Sequence, residues 1–143
     1  MKNKTIFLWI LVAVLSTASS CKKDDNSSSG SSTSANISGI ITSGTWRISY
    51  YHESGDDHTT DFNGYVFTFG NSGTMTATNS FGTATGTWDI DDSNPNEFHM
   101  SIGSTSPLID INNGWLIISQ TGTEIHMKDD DTSHSEELHL IKI

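Results

Sequence analysis

The stretch GTWRISYYH, residues 44–52, decides how the rest of the chain reads. On an extended backbone Trp46, Ile48 and Tyr50 fall on one side, and Arg47, Ser49 and Tyr51 on the other. A period of two in aromatic and β-branched residues marks a strand with one face buried. Stretches of the same kind recur toward the C-terminus, separated by Gly, Asn, Asp and Ser clusters, and none carries a convincing helical period. That spacing predicts an antiparallel, all-β fold.

Eight strands are expected. Thr45–His52 is the first. Gly64–Phe69 sets Tyr65, Phe67 and Phe69 on one face. The turn Gly70–Gly73 leads into Thr74–Thr78, where threonines alternate with Met75 and Ala77. Thr83–Ile90 alternates Ala84, Gly86, Trp88 and Ile90 with polar residues, and Glu97–Ile102 alternates Phe98, Met100 and Ile102 with Glu97, His99 and Ser101. Trp115–Ser119 is apolar on both sides, which predicts cover on both faces. Thr123–Lys128 alternates Ile125 and Met127 with Glu124, His126 and Lys128, and Glu137–Ile143 closes the chain. Two connections carry helix signals. Ile37, Ile40 and Ile41 share one helical face within Ile37–Ser43, and Pro107 suits the first position of a single turn over Pro107–Asn113. The remaining connections are hairpin-like, so consecutive strands are neighbours. Eight such strands closing on themselves leave no exposed edge.

Gly44-Thr45-Trp46 resembles the Gly-x-Trp motif of lipocalins, and the same three-letter pattern returns at Gly86-Thr87-Trp88. The order of segments, GTWRISYY, YVFTF, SGTMTAT, GTWDI, WLIISQTGTEIHM and EELHLIKI, is similar to that of small lipocalin-like lipoproteins of the Bacteroidetes. The likeness covers residues 40–143. It implies an eight-strand antiparallel up-and-down barrel with a short N-terminal helix, in which Trp46 plugs the closed end. Lys142 is the basic residue placed to cover that tryptophan from the last strand. An eight-strand barrel is of the size that side chains alone can fill, so the likeness leaves open whether a ligand cavity exists.

The N-terminus reads as an address. Lys2 and Lys4 precede the apolar run IFLWILVAVL (6–15), and Ser16–Ser20 are small or polar. Ten apolar residues fall short of the roughly 20 needed to span a bilayer, and the layout is that of a signal peptide over residues 1–20. Ala18-Ser19-Ser20-Cys21 resembles a bacterial lipobox, with Ala18 where Leu is commonest. The resemblance implies lipid attachment at Cys21 and a lasting membrane anchor. Lys22-Lys23-Asp24-Asp25 resembles the export tag of Bacteroidetes surface lipoproteins, which implies an outer-membrane protein facing the cell exterior. Residues 21–36, rich in Ser, Thr, Gly and Asn, form a tether; its ten-residue stretch 26–35 has a mean reach of about 15–20 Å. Residues 37–143 form the barrel domain. Cys21 is the only cysteine, so no disulfide forms within the chain.

Within residues 37–143 three basic residues (Arg47, Lys128, Lys142) face fifteen acidic ones, a net of −12. Such a field repels nucleic acid and anionic lipid. No serine sits in a Gly-x-Ser-x-Gly elbow, and lipidation consumes Cys21, so no catalytic residue is assigned and an enzyme is not expected. His52, His58, His99, His126, His134 and His139 match no zinc spacing, though His99, His126 and His139 share the outward side of their strands. Asp89–Glu97 has alternating carboxylates, but an EF-hand-type loop needs Gly at its sixth position and here Asn94, restricted by the following Pro95, stands there; Asp129-Asp130-Asp131 reads as a solvated turn. No metal or cofactor is assigned.

The aromatic and sulfur-bearing side chains carry the functional expectation. Tyr50, Tyr65, Phe67, Trp88, Phe98 and Met100 sit on the presumed inward faces. In an open-mouthed barrel they line an apolar pocket for a small ligand. The alternative is a filled barrel that binds a protein or glycan through its exterior. An apolar cavity favours the first. A solid interior with an exposed aromatic near Tyr51 or Phe81 favours the second.

Overall fold

The computed structural model describes residues 34–143. The expected signal peptide, Cys21, the Lys-Asp export tag and nearly all of the tether lie outside the described residues.

A helix, α1 (Ser34–Ile41), begins slightly before the expected boundary at Ile37. Nine strands follow: β1 (Thr45–Glu53), β2 (Asp56–Asp57), β3 (Val66–Phe69), β4 (Thr74–Asn79), β5 (Gly82–Ile90), β6 (Glu97–Ile102), β7 (Gly114–Gln120), β8 (Glu124–Asp129) and β9 (Glu137–Lys142). β2 is an added two-residue strand on the end of β1, where His52 pairs with Asp57. The other eight are those expected, with shifted ends. They run in order β1-β3-β4-β5-β6-β7-β8-β9, all antiparallel, and β9 pairs back onto β1 to close the barrel. Short 3-10 turns at Thr59–Phe62 and Ile109–Ile111 lie in the longer connections, the second inside the turn expected at Pro107–Asn113.

Alternation places Phe67, Phe69, Met75, Ala77, Trp88, Phe98, Met100, Ile102, Ile125, Met127, Leu138 and Leu140 inside. Each large side chain so buried contributes roughly 1.5–3 kcal/mol. Threonines take the outward positions of β4 and β5, and Thr78 and Thr83 share a hydroxyl hydrogen bond of 2.9 Å across the pair.

Two expectations about facing are corrected. Tyr50 points outward and Tyr51 is buried, the reverse of strict alternation. The β1–β9 register shifts between Ile48 and Tyr50, and a bulge of one residue moves every later side chain to the opposite face. β7 is not covered on both faces: Ile118 is 56% exposed. A single closed sheet has no outer layer, and a second register shift between Ile117 and Ser119 turns that segment outward.

Three tryptophans fasten connections to the barrel. The indole N–H of Trp46 donates to the Ile41 carbonyl at 2.8 Å, pinning the end of α1. That of Trp88 donates to Gly70 at 3.0 Å, holding the β3–β4 turn. That of Trp115 donates to Ile111 at 3.1 Å, holding the second 3-10 turn. A buried indole N–H needs a partner, and here each partner is a segment that would otherwise be a free loop.

Candidate functional site

The interior is the first candidate, because it holds five of the six residues expected to line a ligand pocket. Phe67, Trp88, Phe98 and Met100 are each 5% exposed or less. They touch one another and their neighbours: Trp88 and Phe98 lie 5.7 Å apart between ring centroids, and Phe69 packs edge-on against Trp88 at 5.9 Å. Tyr65, just before β3, is half-buried and packs against the same cluster, 6.2 Å from Phe67. Tyr50 is not among them. It lies on the outer wall, tilted against His139 at 4.8 Å.

Both ends of the barrel are stopped by side chains of the chain itself. At the start of β1, Ile41 at the end of α1 packs in the same cluster as Trp46, both fully buried, and Ile37 of the helix is buried as well. Gly44 turns the chain into β1 at φ +130°, a left-handed value suited to glycine, with the Lys142 side chain packed beside it. At the other end, Tyr51 stands under Phe62, Leu108 and Ile111, which are 7% exposed or less. Phe62 meets the Tyr51 ring edge-on at 5.4 Å, and the Tyr51 hydroxyl donates to the Asp110 carbonyl at 2.9 Å. The Ile102 amide donates to the Asn112 side-chain oxygen at 2.6 Å, fixing the plug to the rim. Burial, and then the Glu53 carboxylate, push the Tyr51 phenol well above its usual range. This end is where a lipocalin-like barrel is expected to open. The plug was not legible in the sequence because Phe62, Leu108 and Ile111 sit in polar, turn-like segments.

Two open hollows of about 350 Å³ and about 340 Å³ are present, one lined by Ser38, Asn71, Asp92 and the expected pocket residue Trp88, the other by Ile118, His134 and Glu137.

The histidines divide by strand. His126 and His139, directly opposite on β8 and β9, stack at 3.8 Å with planes 6° apart. The Glu137 carboxylate lies 2.7 Å from His139, and Glu124 3.8 Å from His126. His99 does not join them, because β7 separates β6 from β8. It pairs instead with carboxylates of its own hairpin. Its Nδ1 lies 3.1 Å from Asp89 and its Nε2 2.9 Å from Glu97. Glu97, then Asp89, hold the His99 pKa above its ordinary value, and His99 in turn holds Glu97 below the usual carboxylate range.

The expected acidic loops also resolve. Asp91 accepts from the Ser93 and Asn94 amides and from the Ser93 hydroxyl, and the Ser93 contacts lower its pKa. Asp129, read from sequence as part of a solvated turn, is in fact 4% exposed. Its carboxylate accepts from the Asp131 amide at 2.8 Å and so closes the turn from inside. Phe81, at the tip of the β4–β5 hairpin, is 96% exposed. Among the described residues no helix is long and apolar enough to cross a membrane.

No family model matches the sequence, and no curated protein does. Among solved structures the chain is similar to a DUF4847 family protein from Bacteroides vulgatus ATCC 8482, with a TM-score of 0.53 and 16% identity over 73% of this chain and 96% of that one. At that identity the shared property is the fold.

Proposed function

We propose that this chain is a lipid-anchored outer-membrane protein, facing the cell exterior, that binds a protein or glycan partner through its outer wall and loops. The observation that carries this reading is the stopped barrel. Side chains expected to line a pocket pack against one another, and Phe62, Leu108 and Ile111 occupy the end through which a ligand would enter. Phe81 supplies the exposed aromatic that a surface contact uses, since aromatics are enriched at interface hot spots. A small apolar ligand inside the barrel requires this plug to swing out, breaking the Tyr51 and Trp115 hydrogen bonds to it.

Native mass spectrometry of the protein purified from its own host separates the two readings. The bare mass of the lipidated chain is expected. A co-purifying apolar molecule that survives delipidation of the sample overturns the filled-barrel reading. The anchor is tested apart from this: Cys21→Ser is expected to release the protein from membranes, and protease added to intact cells is expected to remove the wild-type domain.

A further inference from the structure

The geometry points to a divalent transition-metal site on the outer wall, made by Asp91, Glu97 and His99 where the β5–β6 hairpin begins and ends. One ligand atom from each of the three lies within 4.8 Å of the other two. The fold brings them together from both strands. Asp89 and His99 are direct cross-strand partners, and the Asp91 amide donates to the Glu97 carbonyl at 3.0 Å, which sets Asp91 beside Glu97.

The arrangement around His99 asks for a cation. A neutral imidazole has one N–H and one lone pair. Both ring nitrogens here face carboxylate oxygens, Nδ1 at 3.1 Å from Asp89 and Nε2 at 2.9 Å from Glu97. One of those contacts is a hydrogen bond; the other sets a lone pair against a negative oxygen unless a positive charge lies between. A second proton fills that need, and so does a metal ion. Asp89 holding Nδ1–H is the carboxylate that orients a metal-ligating histidine. Nε2 then faces Glu97, and an Asp91 carboxylate oxygen completes the group within 4.8 Å.

The carboxylates are held ready. Asp91 Oδ1 is occupied by the Ser93 and Asn94 amides, leaving Oδ2 uncommitted among the described contacts. Glu97 Oε2 accepts from the Asn94 side-chain amide at 3.0 Å, leaving Oε1 toward His99. The Asp130 side chain from the β8–β9 turn lies nearby, since its carboxylate and the His99 ring both border Gly114. Among the described residues no Lys or Arg pairs with any of these acids. Bonds of about 2.0–2.2 Å to nitrogen and oxygen in a tetrahedron separate ligand atoms by about 3.3 Å. The Nε2–Oε1 pair therefore opens by a few tenths of an ångström to admit the ion. One imidazole with carboxylates suits zinc or manganese; calcium takes oxygen ligands only. The ion would tie β5 to β6 across the 91–96 loop.

The test is calorimetric titration of ZnCl₂ into the full-length protein in detergent, stripped beforehand with chelator. One ion per chain is expected. His99→Gln is expected to abolish binding, and Asp91→Asn or Glu97→Gln to weaken it at least tenfold. Asp89→Asn, which removes only the orienting carboxylate, is expected to cost about 10–100-fold. The His126→Gln/His139→Gln double variant is expected to bind as wild type. In the wild-type protein the His99 ring signals are expected to move first on adding Zn²⁺, a readout that needs no variant to fold. No binding at millimolar zinc overturns the proposal. So does binding that survives His99→Gln, or that vanishes in the His126/His139 double variant.

Discussion

The ammonium of Lys142 lies 5.1 Å from the centroid of the Trp46 ring and donates to the Ser43 hydroxyl at 2.9 Å. The last strand thus clasps the first at the closed end, over the residue that plugs it. Lys142→Met keeps the packed stem and removes the charge. A cation–π contact at an exposed site is worth about 0.5–1 kcal/mol, and urea denaturation is expected to show a loss of that size. Trp46→Ala empties a fully buried site and is expected to cost about 3–5 kcal/mol.

Tyr50 and Tyr51 make the bulge in β1 measurable. Tyr51 is 1% exposed and bonded to Asp110, whereas Tyr50 rests on the outer wall. Tyr51→Ala is expected to destabilise by about 3–5 kcal/mol. Tyr50→Ala loses surface contact with His139 and is expected to cost under about 1 kcal/mol. Comparable losses at the two positions, by thermal or urea unfolding, would contradict the register shift between Ile48 and Tyr50.

Gly86, in the second Gly-x-Trp, is held to glycine by packing. A Cβ there would lie 2.1 Å from the Ser101 carbonyl oxygen and 2.7 Å from the Ile102 Cα, both backbone atoms that do not yield. Gly86→Ala is therefore expected to cost about 1–3 kcal/mol or more through overpacking. Gly82→Ala, with open space around it, meets no such clash and serves as the comparison, apart from the backbone strain of its φ of +155°.

Glu136 sets a pH dependence of known sign. Burial first, then the Asp129 and Glu53 carboxylates, raise its pKa in the folded state. A carboxylate with a raised pKa favours its protonated form on folding. Its contribution to stability therefore declines as pH rises from the ordinary carboxylate value to the folded one, and stays low above it. Glu136→Gln is expected to raise the urea midpoint at neutral pH. The gain should shrink as pH falls below the ordinary carboxylate range. A gain that persists unchanged in acid points to a cause other than ionisation.

Much of the barrel was legible because its cause is local. Phe98, Met100 and Ile102 alternate over an unbroken β6, and the structure buries all three. Ile37, Ile40 and Ile41 announce a helix face that meets the core. The failures have a different origin. The bulge that exchanges Tyr50 and Tyr51 depends on how β1 meets β9, about ninety positions away in the chain. Asp129 reads as polar and turn-bound; its burial follows from the chain folding back over it, with the Asp131 amide satisfying its carboxylate. Asp91 and Glu97 were visible in the sequence only within an EF-hand-like loop broken at Asn94-Pro95, and His99 only as one of six histidines. The register of β5 on β6 is what sets the imidazole among the carboxylates.

The class of fold and its closed end are written in the linear chain, since alternation, turn residues and Gly44–Trp46 act within a few residues of one another. The linear chain also carried the reading of Cys21, which rests on linear motif and not on structure. That the barrel is stopped at both ends emerges only once the chain is folded. Phe62, Leu108 and Ile111 come from two separate connections, and neither segment has a period that says where it lands. Burial of those side chains follows from closure of the sheet, because the rim they cover does not exist until β9 has paired with β1.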